Sequence, residues 1–333
     1  MKNKSLGIYN LIDTDGINRS IKNVINNKIN FNTYTSPKGL KELRVKISDW
    51  LNESWRINLS YKELLITSGS QQSINLIAYS LLNKGDTILI EQPTYFGAID
   101  IFKKLDVNLV GVNLNDNGID LEELEIKLNK YKPKLIYVTP TFNNPTGIAW
   151  KNDVRKKFLE LVNKYYVIVV EDDPYSLINY SDYDYRSLYE LNNGNNVIYL
   201  GTFSKIISPS INVGYVICSD NFMNKIYSFK KSFDLCTSLF NQYVILDYLD
   251  NNNLNMILKV KVLKYKELLK GSLDKLNKEY SGYVVSYSHV DGGLFYLVKF
   301  KDVINEDIFE NGNNYYIEGI HNNETRINIC SEL

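Results

Sequence analysis

The chain reads as an α/β protein: a mostly parallel sheet flanked by helices, joined to a smaller α+β domain. Three observations predict this. Short, near-continuous apolar runs of strand length recur between Leu64 and Thr202, segments of helical period stand between them, and the runs end in clusters of small or polar residues. Apolar runs alternating with helices indicate a parallel sheet covered on both faces, and the C-terminal strand ends of such sheets are where ligands bind. A length of 333 residues is enough for one large core and a second, smaller domain.

The elements follow in order. Ile17 to Ile25 is the one helical segment in a weakly patterned start. Tyr34-Thr35-Ser36-Pro37-Lys38-Gly39 makes a turn, and Leu40, Leu43, Ile47 and Leu51 at helical spacing start a helix after Gly39. Leu64-Leu65-Ile66-Thr67 is a strand ending in Ser68-Gly69-Ser70-Gln71, after which Ile74, Ile77, Ala78 and Leu81 mark a helix. A small-residue turn between strand and helix offers backbone N–H groups, hydroxyls and the positive helix end, a combination that suits a phosphate. A capped helix start with no ligand explains this stretch equally well.

Thr87 to Ile90 is the next strand, closed by Glu91-Gln92-Pro93-Thr94-Tyr95-Phe96, and Val107 to Val112 is another. Leu135 to Pro140 runs into Thr141-Phe142-Asn143-Asn144-Pro145-Thr146-Gly147. A helix from Asn152 to Lys164 leads to Val167-Ile168-Val169-Val170, which ends in Glu171-Asp172-Asp173-Pro174-Tyr175. Ile198 to Lys205 is an apolar run closing in small hydroxyl residues and a lysine. Phe222 to Leu249 is predominantly helical, and a second helical stretch follows Asn251-Asn252-Asn253 to about Leu276. Gly282 to Phe300 alternates like strands around Gly292-Gly293. Residues 46–249 are therefore expected to form the large domain, and 1–45 with 250–333 the small one.

Composition removes several classes of function. Lys and Arg together number 38, Asp and Glu also 38, and the cations are spread along the chain. Nucleic-acid binding, which needs a clustered basic excess, is not expected. No apolar stretch suits a signal sequence or a bilayer span, so the expected location is cytoplasmic, with no membrane partner. Cys218, Cys236 and Cys330 are too few and scattered for a disulfide framework, and with only His289 and His321 no metal site is expected. Asn-rich stretches such as Asn192-Asn193-Gly194-Asn195-Asn196 carry no functional expectation.

Lys205 is the candidate for the chemistry. Just after a buried strand, partial desolvation lowers an ammonium pKa and favours a Schiff-base amine. Taken alone, a surface lysine in a turn explains the octapeptide better. Its company changes that. The turn at Gly69-Ser70-Gln71, then Asn144-Pro145-Thr146-Gly147, Asp172-Asp173-Pro174-Tyr175 and Ser204-Lys205, in this order, resemble the fold-type I pyridoxal 5′-phosphate (PLP) enzymes. The chain is most similar to class I/II aminotransferases of the aminoadipate/kynurenine type, which also supply the C-terminal domain of MocR regulators. The resemblance covers roughly residues 34 to 330.

It implies PLP as cofactor, an amino acid and a 2-oxo acid as substrates, and a homodimer. Lys205 would form the internal aldimine and shuttle a proton between substrate and cofactor, and Asp172 would keep the pyridine nitrogen protonated. Asn144 and Tyr175 would bond the 3′ oxygen, and Tyr95 would stack on the ring. Ser70, Gln71, Thr202 and Ser204 would contact the phosphate, and Tyr34 that of the neighbouring subunit. Arg326, in Thr325-Arg326-Ile327-Asn328-Ile329, would grip the substrate α-carboxylate with two parallel bonds. Catalytic roles thus fall to Lys205, Asp172 and Tyr175.

The chain departs from the pattern at one charged position. Where the family has an arginine seven residues after the lysine, against the cofactor phosphate, this chain has Asn212 in Pro209-Ser210-Ile211-Asn212-Val213-Gly214. Losing one charge-assisted contact costs about 1.5 to 3 kcal/mol, roughly ten- to a hundredfold in affinity, unless another cation substitutes. Against the family pattern the N-terminal cover is abbreviated, the small domain is expected to lack part of the insert before Arg326, and the final helix after Leu333 is expected to be absent. An aminotransferase is the expected activity. A PLP lyase, decarboxylase or racemase on the same fold, or a non-catalytic module, are the alternatives.

Overall fold

The computed structural model describes residues 11–27, 29–55, 57–302, 310–311, 315–317, 321 and 323–330. Helices α1 (Thr14–Asn26) and α2 (Lys41–Trp55) precede strand β1 (Leu64–Thr67) and helix α3 (Gly69–Leu81). Then come β2 (Thr87–Gln92), α4 (Phe96–Lys104), β3 (Asn108–Asn115), the short β4 (Gly118–Ile119), α5 (Leu121–Tyr131) and β5 (Leu135–Val138). The run continues with α6 (Asn152–Lys164), β6 (Ile168–Asp173), α7 (Leu188–Leu191), β7 (Val197–Thr202) and β8 (Gly214–Ile217). Helices α8 (Asp220–Phe233), α9 (Leu239–Asn251) and α10 (Leu254–Tyr280) lead to β9 (Val284–Tyr287), β10 (Phe295–Phe300), β11 (Glu310–Asn311) and β12 (Glu324–Asn328).

The large sheet has eight strands in the order β1-β8-β7-β6-β5-β2-β3-β4. Neighbours from β7 to β3 are parallel, as the apolar runs predicted. β8 runs antiparallel between β7 and β1. It is missing from the sequence reading because Gly214-Tyr215-Val216-Ile217 is short and follows a turn-rich loop.

Side chains alternate between two cores, one on each face. Leu64 and Ile66 of β1 pack on one side with Leu43 and Ile47 of α2, whereas Leu65 joins Ile74 and Ile77 of α3 on the other. Each fully buried aliphatic side chain of this kind contributes about 1.5 to 3 kcal/mol. For the N-terminal stretch, expected with the small domain, the packing is of a different kind. Ile17 and Val24 of α1 join the large-sheet core, and the Tyr248 hydroxyl of α9 donates to Asp13 Oδ2 at 2.9 Å.

The expected single helical region from Phe222 to Leu249 is two helices. They are separated by Asp234–Ser238, where the Ser238 hydroxyl caps α9. The buried Lys230 ammonium donates to both Asp234 carboxylate oxygens, at 2.8 and 2.9 Å, and to Gln72 Oε1 of α3 at 3.2 Å. A second sheet, β11-β12-β10-β9, is antiparallel. Its Phe295, Val298 and Ile327 pack with Tyr265 and Leu269 of α10, and with Phe142 and Tyr175 from loops of the large sheet. That shared core presses β12, which carries Arg326, against the strand ends of the large sheet. No described helix is long and apolar enough to cross a membrane, and no cluster of three or more potential metal ligands occurs among the described residues.

Candidate active site

The C-terminal ends of β6 and β7, the loop after β5 and the start of α3 enclose a cavity of about 220 Å³. Ser70, Gln71, Tyr95, Asn144, Asp172, Tyr175, Thr202, Ser204 and Lys205 all line it. These come from five separate stretches of sequence, so the fold brings together what the motifs only placed in order. Tyr34 does not line it and is 82 % exposed.

Strand alternation decides which carboxylate faces the cavity. Asp172 and Asp173 are consecutive on β6 and point to opposite faces. Asp173 accepts from Ser176 N at 3.0 Å and from the Tyr199 hydroxyl at 2.8 Å, which makes it part of the framework. Asp172 lines the cavity, and its Oδ2 accepts a 2.6 Å hydrogen bond from the Tyr137 hydroxyl. Burial pushes the Asp172 pKa up to about 7, against the Tyr137 hydrogen bond, which favours the charged form. Its other oxygen, Oδ1, is buried without a hydrogen-bond partner. Tyr137 is absent from the expected site, although a phenol in the aliphatic run Leu135-Ile136-Tyr137-Val138 was a signal that it bonds something polar.

Lys205 follows β7 and is partly buried. Desolvation, followed by the positive charge of Arg326, lowers its pKa to about 8, while Asp172 opposes that shift. An appreciable fraction of neutral amine is therefore present near neutral pH. Tyr95 donates to Gln71 Oε1 at 3.1 Å, and burial raises its pKa to about 12, so it stays a neutral phenol.

Arg326 is reached from the second sheet. Its Nη1 donates to Asn144 Oδ1 at 3.0 Å, and its guanidinium stacks 4.1 Å from the Phe295 ring centroid. Arg326 and Asn144 are both buried, so the guanidinium is held in one orientation at the cavity edge. The turn carrying Asn144 is fixed from beneath by Glu91. This buried carboxylate accepts from Thr139 N at 2.6 Å, Asn143 Nδ2 at 3.0 Å and Trp150 Nε1 at 3.0 Å. Burial pushes its pKa up to about 7. Tyr175 packs edge-on against Phe295, with ring centroids 5.9 Å apart.

The lining contributed by Gly69, Ser70, Thr202, Ser204 and Asn212 carries no charge. Gly69 opens α3 at a φ of +74°, where a Cβ would stand 2.3 Å from Asn212 Oδ1. Glycine is required there for both reasons. The Ser68 side chain does not cap α3, and Ser70 Oγ is buried without a hydrogen-bond partner. The Thr202 hydroxyl accepts from Ser204 N at 3.1 Å. Asn212, in the left-handed region at a φ of +48°, also lines this end. Thr139 and Pro209, not expected at the site, complete the wall.

Two orphan atoms test the fit of the implied cofactor. Asp172 Oδ1 is placed to accept from a protonated ring nitrogen, and Ser70 Oγ with the α3 N-terminus to donate to a phosphate. Lys205 stands in the same cavity. The residues fit PLP.

The chain matches the model of the aminotransferase class I and II family over residues 9–329. It belongs to that family. It is 34 % identical over 267 residues to an aromatic-amino-acid aminotransferase of Thermococcus litoralis and 32 % identical over 265 residues to a 2-aminoadipate transaminase of Thermus thermophilus. Each match covers 79 % of this chain, but only 64 % and 65 % of the respective relatives. Among solved structures, the kynurenine aminotransferase of Pyrococcus horikoshii superimposes with a TM-score of 0.89 at 31 % identity, covering 98 % of this chain and 85 % of that one. The family member has the PLP fold type I architecture expected from the strand-end motifs.

Proposed function

We propose that this chain is a PLP-dependent aminotransferase that moves an amino group from an amino acid to a 2-oxo acid. The observation that carries the reading is the placement of Lys205 and Asp172 in one cavity, with Arg326 locked onto Asn144 at its edge. When bound, PLP supplies an electron sink conjugated with the substrate amino group.

The protein's own groups do the rest. Asp172 would hold a proton on the ring nitrogen through Oδ1, which has no other hydrogen-bond partner, while Tyr137 keeps Oδ2 in place. Asn144 and Tyr175 would orient the ring through its 3′ oxygen, and Tyr95 would cover one face. Arg326 receives the α-carboxylate, which sets the substrate Cα against Lys205. The Lys205 amine, whose pKa in the ligand-free protein is lowered to about 8, would accept the substrate Cα proton at Nζ and deliver it onward. Relatives named for aromatic, aminoadipate and kynurenine substrates suggest a substrate of that class.

The same reading includes a cytoplasmic homodimer in which Tyr34, exposed on its own subunit, reaches the cofactor phosphate of the neighbour. Incubation of the PLP-loaded protein with L-phenylalanine or L-2-aminoadipate tests the activity. Formation of the corresponding 2-oxo acid together with pyridoxamine 5′-phosphate (PMP) is expected. Release of ammonia or carbon dioxide would instead assign a lyase or decarboxylase. Asn212 is the specific feature favouring a non-catalytic module, a reading that rapid conversion of the bound cofactor would end.

A further inference from the structure

The neutral end of the cavity has a consequence for how the cofactor stays bound, and it rests on the PLP reading above. Among the described residues lining the cavity, Lys205 is the only cation. At the phosphate end stand Gly69, Ser70, Thr202, Ser204 and Asn212. Lys230 reaches α3 one turn away, but its ammonium is held by Asp234 at 2.8 and 2.9 Å and by Gln72 at 3.2 Å. It does not line the cavity. Among the described residues of this subunit that line the cavity, none besides Lys205 offers a cation in place of a guanidinium. From this subunit the phosphate receives hydroxyls, the Asn212 amide and the positive end of α3.

The two forms of the cofactor depend on these contacts unequally. The PLP aldehyde carbon forms a C=N bond with Lys205 Nζ, losing one water. In PMP that same carbon is a CH2 bearing an –NH3+ group and cannot form that bond. The aldehyde form is thus held by a covalent link as well as by the phosphate end, the amino form by non-covalent contacts alone.

We propose that Asn212 makes this chain a weak holder of PMP, so that the cofactor is retained through Lys205 in one half of the cycle and exchanges with free cofactor in the other. The chain would then keep its activity through repeated turnover only where PLP or PMP is supplied in solution.

Binding of PLP and of PMP to the apoprotein, measured by tryptophan fluorescence quenching with no amino or oxo acid present, tests this directly. Affinity for PMP is expected to be at least about tenfold weaker than for PLP, and K205A is expected to bring PLP down to the level of PMP. Asn212→Asp keeps the shape and the tolerance for a left-handed backbone while adding a negative charge, and it is expected to weaken PMP about tenfold or more. Asn212→Arg is expected to tighten PMP about ten- to a hundredfold. If that larger side chain unfolds the protein, as a thermal melt would show, N212D decides. Equal affinity of the wild type for PMP and PLP, or an N212D protein that binds PMP unchanged, would overturn the proposal. Failure of the transaminase reading shows separately, as a protein that binds PLP but converts no amino donor.

Discussion

At one end of the cavity Asp172, Lys205 and the nearby Arg326 are ionisable groups drawn out of water, with carboxylate and amine pKa values moved to about 7 and about 8. At the other end Gly69, Ser70, Thr202, Ser204 and Asn212 offer hydroxyls, an amide and a helix terminus, with no charge of their own. The contrast separates two jobs. Chemistry needs groups whose protonation can change near neutral pH, and burial supplies that. Anchoring an anion needs only donors, and the described residues lining this end of one subunit supply no cation. The ring end should respond strongly to substitution and to pH, the phosphate end mainly in binding.

Replacing Lys205 with alanine has the largest expected effect, a loss of roughly 10²- to 10⁴-fold or more in turnover together with loss of the covalent link to PLP. Rapid-mixing absorbance measures both. Asp172→Asn comes next, at about 10²- to 10³-fold in turnover with little change in phosphate-driven binding, since it removes the charge facing the ring nitrogen. If D172N instead lowered PMP affinity as much as turnover, the division between the two ends would be wrong. Arg326→Leu should raise KM for the amino acid about ten- to a hundredfold, read from steady-state kinetics on amino donors.

The smallest effect tests the ring end by pH. The Tyr137 hydroxyl favours the charged form of Asp172, whose pKa in the ligand-free protein is about 7, so Tyr137→Phe should move the acid limb of PLP uptake by the apoprotein upward. Asp172 is ionised above its pKa, so uptake should fall as pH drops through that limb. The Lys205 pKa is shifted the other way, lowered to about 8, and the reactive neutral amine also grows as pH rises, so PLP uptake should accelerate up to about that pH and then level off. A profile of uptake still rising steeply toward pH 10 would mean that Lys205 is not desolvated as its surroundings imply.

Much of this arrangement was legible in the chain itself. Aliphatic runs such as Val167-Ile168-Val169-Val170 can only be strands buried on both faces, and the polar residues that close them had to gather at one sheet edge. Which of Asp172 and Asp173 faces the cavity was legible only through the family likeness. In the structure it follows from strand alternation, with Tyr199 and Ser176 claiming Asp173. Contacts between distant segments were not legible. The bond from Tyr137 to Asp172 spans 35 residues, and that from Arg326 to Asn144 spans 182. Glu91 beneath the Asn144 turn gave no signal either, because an acid after a strand reads as solvated until Trp150 and Asn143 are folded over it. β8 escaped notice because four residues after a turn-rich loop carry too little pattern.

The assignment of Lys205 is tested most directly by a spectral titration of the purified apoprotein with PLP, wild type beside K205A, followed by addition of an amino acid and then a 2-oxo acid. The wild type should develop the Schiff-base absorbance band stoichiometrically, lose it on adding the amino acid and recover it on adding the 2-oxo acid, while K205A develops none. A wild type without the band, or a K205A protein that shows the same band and the same cycle, would contradict it.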